Sequence, residues 1–262
     1  MSFHSFPLKV NPIVLTLSLI FSFTAQAEVV LNAGSRLSYD DNVNGSSDRQ
    51  QSSNQEADTY ITLNASAVYY TPIDVAKSTY FIGQVGALTT AFNRFSNLNN
   101  SMLIATAGLY KQFTSNWSGQ VTGRGFLRDT RQDARDSEGF GGTIEIKRQL
   151  GQKFWGKAVA DYEDNEADVN GFSYTGETYG VNFGYLPYQN TFINFGYNYT
   201  KRDFDTASSF RTTTDTLFTE VTQRLSTNWY LNGGYVYRDN DSNFSGTSYS
   251  NQIVSLGLSY SY

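Results

Sequence analysis

The chain has 262 residues, with Lys+Arg 19 against Asp+Glu 24, and the resulting formal net charge of -5 argues against a general nucleic-acid binder. It holds no cysteine, which excludes disulfides and thiol chemistry, and its only histidine, His4, lies in the N-terminal segment. If that segment is removed, the remaining chain lacks both the imidazole base of hydrolytic triads and the commonest metal ligand, so we expect no catalytic residue, no metal and no cofactor.

Lys9, an apolar run from Ile13 to Phe23 and then Ala25-Gln26-Ala27 have the form of a secretory signal with a small-x-small cleavage site. The run is too short to span a membrane as a helix. We therefore read residues 1–27 as a signal peptide and residues 28–262 as a single domain, with no cysteine at the cut to carry a lipid. Beyond Ala27 no stretch approaches the roughly 20 apolar residues of a membrane helix. A barrel needs no such stretch, because alternate residues may face water. Tyr 19, Phe 19 and Gly 22 against four prolines is the usage of many strands.

Alternation of apolar with small or polar residues predicts about twelve antiparallel strands near residues 29–40, 58–70, 79–93, 101–113, 117–129, 140–149, 153–162, 177–186, 191–203, 212–225, 229–238 and 251–262. Short turn signals at Thr71-Pro72-Ile73-Asp74, Thr114-Ser115-Asn116, Leu150-Gly151-Gln152, Pro187-Tyr188-Gln189-Asn190 and Ser226-Thr227-Asn228 alternate with longer polar segments. This predicts a transmembrane up-and-down β-barrel with short periplasmic turns and longer extracellular loops. Both later prolines, Pro72 and Pro187, are expected in turns. A soluble β-sandwich is the alternative, but its strands would be shorter and its loops would not alternate in length.

The alternation assigns Ile61, Leu63, Ala65, Ala67 and Tyr69 to lipid, with Tyr179, Val181, Phe183 and Tyr185, and Ile193, Phe195, Tyr197 and Tyr199. Trp117, Trp155 and Trp229 each follow a short turn and read as an interfacial girdle. Facing inward are Arg36 and Asp40, Arg124 and Arg128, Glu145 and Lys147, Lys157 and Asp161, Glu220 and Arg224, and Arg238. Of these, Arg36, Arg124, Arg128, Glu145, Lys157, Glu220, Arg224 and Arg238 are the candidates for lumen selectivity, with a mild preference for anions. Mutual pairing that closes the lumen is the competing reading. A tight turn at Leu150–Gln152 would place Glu145 opposite Lys157 as a cross-strand ion pair. Two acidic segments, Asp161–Asp168 and Asp239–Asn243, read as solvated loops rather than calcium sites, since the second lacks the glycine and distal glutamate of an EF-hand.

Leu37-Ser-Tyr-Asp-Asp-Asn-Val-Asn-Gly45 resembles the opening of the β-barrel porin family of outer-membrane proteins, whose members are associated with exopolysaccharide export. Similar Tyr-Asp-Asn openings occur in surface-lipoprotein assembly modifiers. The resemblance implies a Gram-negative outer-membrane protein for passage of a solute or polysaccharide, contacting outer-membrane lipid and lipopolysaccharide. The rival is a non-conducting barrel that anchors or scaffolds an envelope or exopolysaccharide-secretion assembly. Barrel phospholipases, omptin-like proteases and palmitoyl-transferases depend on histidine, so likeness to them fails at the chemistry. The closing run Val254–Tyr262 ends on an aromatic, as outer-membrane proteins read by the barrel assembly machinery do. Leu258, Tyr260 and Tyr262 are the expected assembly signal.

Two substitutions test the register. Leu256→Arg should lower membrane levels, because an arginine facing lipid near mid-membrane costs roughly 2 to 4 kcal/mol. Gly257→Ser, facing the wet lumen, is expected to be far milder.

Overall fold

The computed structural model describes residues 27–47, 54–206, 209–244 and 246–262. Twelve strands are arranged in sequence order: β1 (Glu28–Asp40), β2 (Asp58–Pro72), β3 (Thr79–Phe92), β4 (Asn100–Gln112), β5 (Trp117–Thr130), β6 (Ser137–Gln149), β7 (Phe154–Ala167), β8 (Tyr174–Tyr188), β9 (Thr191–Phe204), β10 (Arg211–Arg224), β11 (Trp229–Ser242) and β12 (Tyr249–Ser261). Each pairs antiparallel with its chain neighbour, and β12 pairs with β1 to close the barrel. The leader assigned to residues 1–27 lies outside the described residues except for Ala27.

The usual inside-out order of a soluble protein is reversed here, because the apolar side chains stand on the outer wall. Val29, Leu31, Leu37, Ile61, Leu63, Val121, Ile144, Val181, Val254 and Leu256 are all exposed, and Leu256 is 59% accessible. The only buried hydrophobic residues among those described are Phe126, Tyr174 and Ile253, and all three point into the lumen. An exterior of this kind is stable only in lipid, and the closed ladder leaves no strand edge unsatisfied. The soluble sandwich is thereby excluded.

Several expectations are corrected in detail. Pro72 is the last residue of β2, and Pro187 lies inside β8 at an irregularity between Tyr185 and Tyr188, where a lost ladder donor is tolerated. The connections do alternate in length, since those at residues 41–57, 93–99, 131–136, 168–173, 205–210 and 243–248 are each longer than the connections beside them, but the contrast is smaller than expected: the connection at 73–78 is as long as those at 131–136, 168–173 and 205–210. Two of the polar segments read as loops, 163–176 and 239–250, are about half strand, because β7 runs on to Ala167 and β11 to Ser242. In the first acidic segment, Asp161 and Glu163 face the lumen while Asp164 and Glu166 face outward. Their alternation continues the strand pattern, but carboxylates on both faces hide it from a hydropathy reading. Among the described residues no cluster of acidic side chains could hold a metal ion.

Of the three tryptophans, Trp117 and Trp229 face outward, and Trp229 meets Tyr260 edge-on at 5.2 Å between centroids. Trp155 faces the lumen instead, because it stands opposite Gln149 and Gly184. Its neighbour Phe154 takes the outer position and stacks on Phe183.

The Leu37–Gly45 segment forms a hydrogen-bonded corner at the end of β1. The buried Asp40 carboxylate accepts the Asn251 amide at 2.9 and 3.0 Å and the Asn42 backbone N–H at 3.0 Å. The Asn42 amide donates to the carbonyls of Ser46 and Ser250. Gly45 turns the chain at φ +61°, where a Cβ would stand 3.1 Å from the Tyr249 ring. The motif thus ties the first loop to β12.

The seam between β1 and β12 revises one expectation. Gly257 faces the lumen opposite Arg36, but a Cβ there would approach the Ser35 carbonyl oxygen to 2.8 Å. Gly257→Ser should therefore destabilise the barrel by about 1–3 kcal/mol. Gly233→Ala, which meets nothing within 4 Å, should be silent. The temperature at which each variant loses its folded gel mobility checks the contrast.

The β2–β3 turn supplies a pH prediction. Donation from the Ser78 hydroxyl and the Thr79 N–H holds the exposed Asp74 carboxyl well below the usual carboxylate range. Because the folded value is depressed, the stabilisation is present above the unfolded value of about 4 and is lost as pH falls toward the folded one. The difference in unfolding midpoint between the native protein and Asp74→Asn should be constant at neutral pH and vanish in strong acid.

Candidate lumenal site

The lumen wall is built by the inward half of each strand's alternation, so the register fixes which charges can meet. Arg36, Arg124, Arg128, Glu145, Lys157, Glu220, Arg224 and Arg238 all lie on inward positions. They do not form one constellation.

The least exposed ion pairs join β5 to β7. Arg124 grips Asp161 with two nitrogens, at 2.5 and 2.9 Å, and Glu163 with one at 2.8 Å. Thr143 donates to Asp161, and the Tyr174 hydroxyl donates to Glu163 at 2.7 Å. Such forked, charge-assisted bonds fix geometry as well as charge. Arg124 stands directly opposite Gly141, and a Cβ there would fall 2.8 Å from the guanidinium carbon and 2.5 Å from the Tyr162 carbonyl oxygen. The glycine lets the arginine lie along the wall. Arg202 covers the other side of this cluster, 5.0 Å over the Tyr174 ring, and borders a small recess with Glu163 and Thr178.

Two further ion pairs occupy the lumen. Arg36 on β1 reaches Glu220 on β10 at 2.5 Å, past the intervening β12 and β11. Lys157 reaches Glu145 at 2.8 Å, but the two are diagonal rather than opposite: Glu145 faces Val159, and Lys157 faces Lys147. The turn at residues 150–153 offsets the register by two positions from the tight-turn expectation.

The remaining candidates have other roles. Arg224 donates to the carbonyls of Ser226 and Thr227 and so secures the β10–β11 turn. Arg128 lies over Phe126 at 5.5 Å and Arg238 stands opposite Asn251, neither within ion-pair distance of a carboxylate among the described residues. Of the assembly-signal residues, Leu258 and Tyr260 face outward on β12, while Tyr262 exchanges backbone hydrogen bonds with Leu31 at 2.9 Å. Sequence reasoning missed Glu163, Tyr174 and Arg202, since two of them stand in segments read as loop. Continuing the period-two pattern through residues 162–167 and back from residue 177 would have found Glu163 and Tyr174.

No protein-family model matches this chain, and no curated protein matches it. Solved structures do. An outer-membrane channel from Pseudomonas putida F1 is similar over 92% of this chain and 97% of its own, at TM-score 0.65 and 11% identity. The β-domain of a Bordetella autotransporter, BrkA, is similar over 91% of this chain and 100% of its own, at TM-score 0.53 and 13% identity. The KdgM porin, in complex with disordered oligogalacturonate, covers 88% of this chain and 99% of its own at TM-score 0.51 and 11% identity. At such identities the likeness is one of fold.

Arg124→Met would leave Asp161 and Glu163 as adjacent unpaired carboxylates. We expect a loss of about 3 kcal/mol, the low end for a broken buried pair given their partial exposure. Unfolding of the refolded barrel in urea checks it.

Proposed function

We propose that this protein is an outer-membrane channel that passes a solute across the membrane without enzymatic turnover and prefers anions. One observation carries the reading. The inward carboxylates among the described residues all have donors: Glu145, Asp161, Glu163 and Glu220 are bonded by cations, Asp40 by Asn251 and Asn42, Asp58 by backbone N–H groups and Glu28 by the Tyr70 hydroxyl. Arg128, Arg202, Arg238 and Lys147 face inward with no carboxylate at ion-pair distance among the described residues. Among the described residues the inward face carries eight cations against seven carboxylates, a slight excess, and the cations without a carboxylate partner favour negative solutes in a wet passage.

The reading places the protein in the outer membrane of a Gram-negative bacterium, inserted by the barrel assembly machinery and surrounded by lipid and lipopolysaccharide. The fold it shares with the KdgM porin, seen with oligogalacturonate, supports carbohydrate as cargo, as does the resemblance of Leu37–Gly45 to exopolysaccharide-associated porins.

Planar bilayers test this. A steady conductance whose reversal potential in a salt gradient shows anion preference is expected, and Arg128→Glu should reduce that preference. A silent bilayer from folded, heat-modifiable protein would overturn the channel and favour a barrel that anchors an envelope or exopolysaccharide-secretion assembly.

A further inference from the structure

At the short-turn end of the lumen, Lys147 and Lys157 stand directly opposite each other on β6 and β7. Like charges in register repel. Only one carboxylate, Glu145, is at hand, and it bonds to Lys157 at 2.8 Å. Lys147 is left over, with its ammonium 4.4 Å from the centroid of the lumenal Trp155 ring, a contact that offsets little of a positive charge's demand for partners. Among the described residues this ammonium has no ion pair and no hydrogen bond.

Lys147 also borders a recess near the β4–β5 turn. The space is about 200 Å³, against about 40 Å³ for the recess beside Tyr174. At roughly 10–15 Å³ for each water-sized position it has room for about 13 to 20 waters, enough for one small solute but not for a folded polymer. Its lining includes Tyr110, Gln112, Asn116, Ser118 and Gln149, and no acidic residue. Gln149 donates one amide hydrogen to the Gly151 carbonyl, which leaves its side-chain oxygen as an acceptor. Amides and hydroxyls both donate and accept, so around a lone cation they suit a ligand with one negative charge and several hydroxyls.

Trp155 is held flat by its partner. It lies opposite Gly184, where a Cβ would fall 2.3 Å from the indole, and it stacks on Phe192 with centroids 6.1 Å apart. The aromatic pair therefore tiles the wall beside Lys147 instead of blocking the lumen.

We propose that this recess is a binding subsite for a small hydroxylated carboxylate, a single sugar acid in chemical class, with Lys147 pairing the carboxylate and the amides and hydroxyls of Gln112, Gln149, Ser118 and Tyr110 taking the hydroxyls. The subsite deepens the reading of the lumen as an anion passage, resting on it only for its role in transport. Binding is measurable without ion flow.

The experiment uses the refolded barrel in detergent at constant ionic strength, with sodium D-glucuronate as probe and D-glucose and sodium acetate as controls. Calorimetry on the barrel with its native tryptophans gives the isotherm, and Trp155 fluorescence is read beside it in a Trp117→Phe, Trp229→Phe background, where Trp117 itself borders the recess and the calorimetric isotherm is the reference. We expect saturable glucuronate binding at least tenfold tighter than that of either control. Lys147→Met should abolish it, while Lys153→Met, which alters a turn lysine bonded to the Pro187 carbonyl, should leave it intact. Absence of saturation, or a Lys147→Met variant that binds as well as the native protein, overturns the subsite. Equal binding of acetate overturns the hydroxyl contacts. Saturable binding by a barrel that is silent in bilayers would retain the subsite and overturn the channel, whereas conduction without binding would do the reverse.

Discussion

The pairing of β12 with β1 is the constraint on which the rest depends. In lipid an unpaired backbone donor or acceptor costs several kcal/mol, so a sheet of this length is viable only when its first and last strands find each other. The seam carries its own devices: the register from Asn32 with Ser261 to Asp40 with Ile253, the backbone exchange between Leu31 and Tyr262, and the close approach at Gly257. At the far end, Asn251 on β12 bonds the Asp40 carboxylate at the end of β1, so the seam is fastened by a buried polar pair as well as by the ladder.

Once the barrel is closed, the two faces of every strand face different solvents, and this settles where charge can go. Outside, aliphatic and aromatic residues meet lipid. Inside, a charged side chain can reach water or a partner on another strand, and the bonds of Arg124 to Asp161 and Glu163 show how far such pairing goes. Large inward side chains would fill so narrow a lumen if they stood upright. Arg124 opposite Gly141, Phe126 opposite Gly139 and Trp155 opposite Gly184 lie along the wall because the residue across from each has no side chain. Glycine in these strands thus sets how far large side chains stand into the lumen as well as the packing of the sheet.

The strand pattern was legible in the sequence because period two is imposed by the pleat and does not depend on tertiary contacts. All twelve strands fall within a few residues of their predicted positions, and Arg36, Arg124, Arg128, Glu145, Lys157, Glu220, Arg224 and Arg238 stand on the inward face assigned to them. The errors share one cause. Where charged or polar residues occupy both faces of a strand, as at Asp161–Ala167 and Asp239–Ser242, the hydropathy contrast that marks the alternation disappears and the strand reads as a loop. Trp155 was misplaced for a related reason, since aromatics serve at the interface and in the lumen alike, and only its pairing with Gly184 distinguishes the two.

The sequence by itself determined the class of the fold, the number of strands, the lipid-facing side of the strands it assigned and the lack of any histidine beyond His4, because each follows from composition or from the alternation of one strand at a time. The tertiary structure alone decided which charges meet. Arg36 and Glu220 are separated by most of the chain and by two strands, Lys147 stands opposite Lys157 and is left without a carboxylate only because of the offset in their turn, and Glu163 joins Arg124 only because β7 runs longer than its hydropathy suggests. Inter-strand register and the angular position of each strand around the barrel set these meetings, and neither is encoded in any single segment.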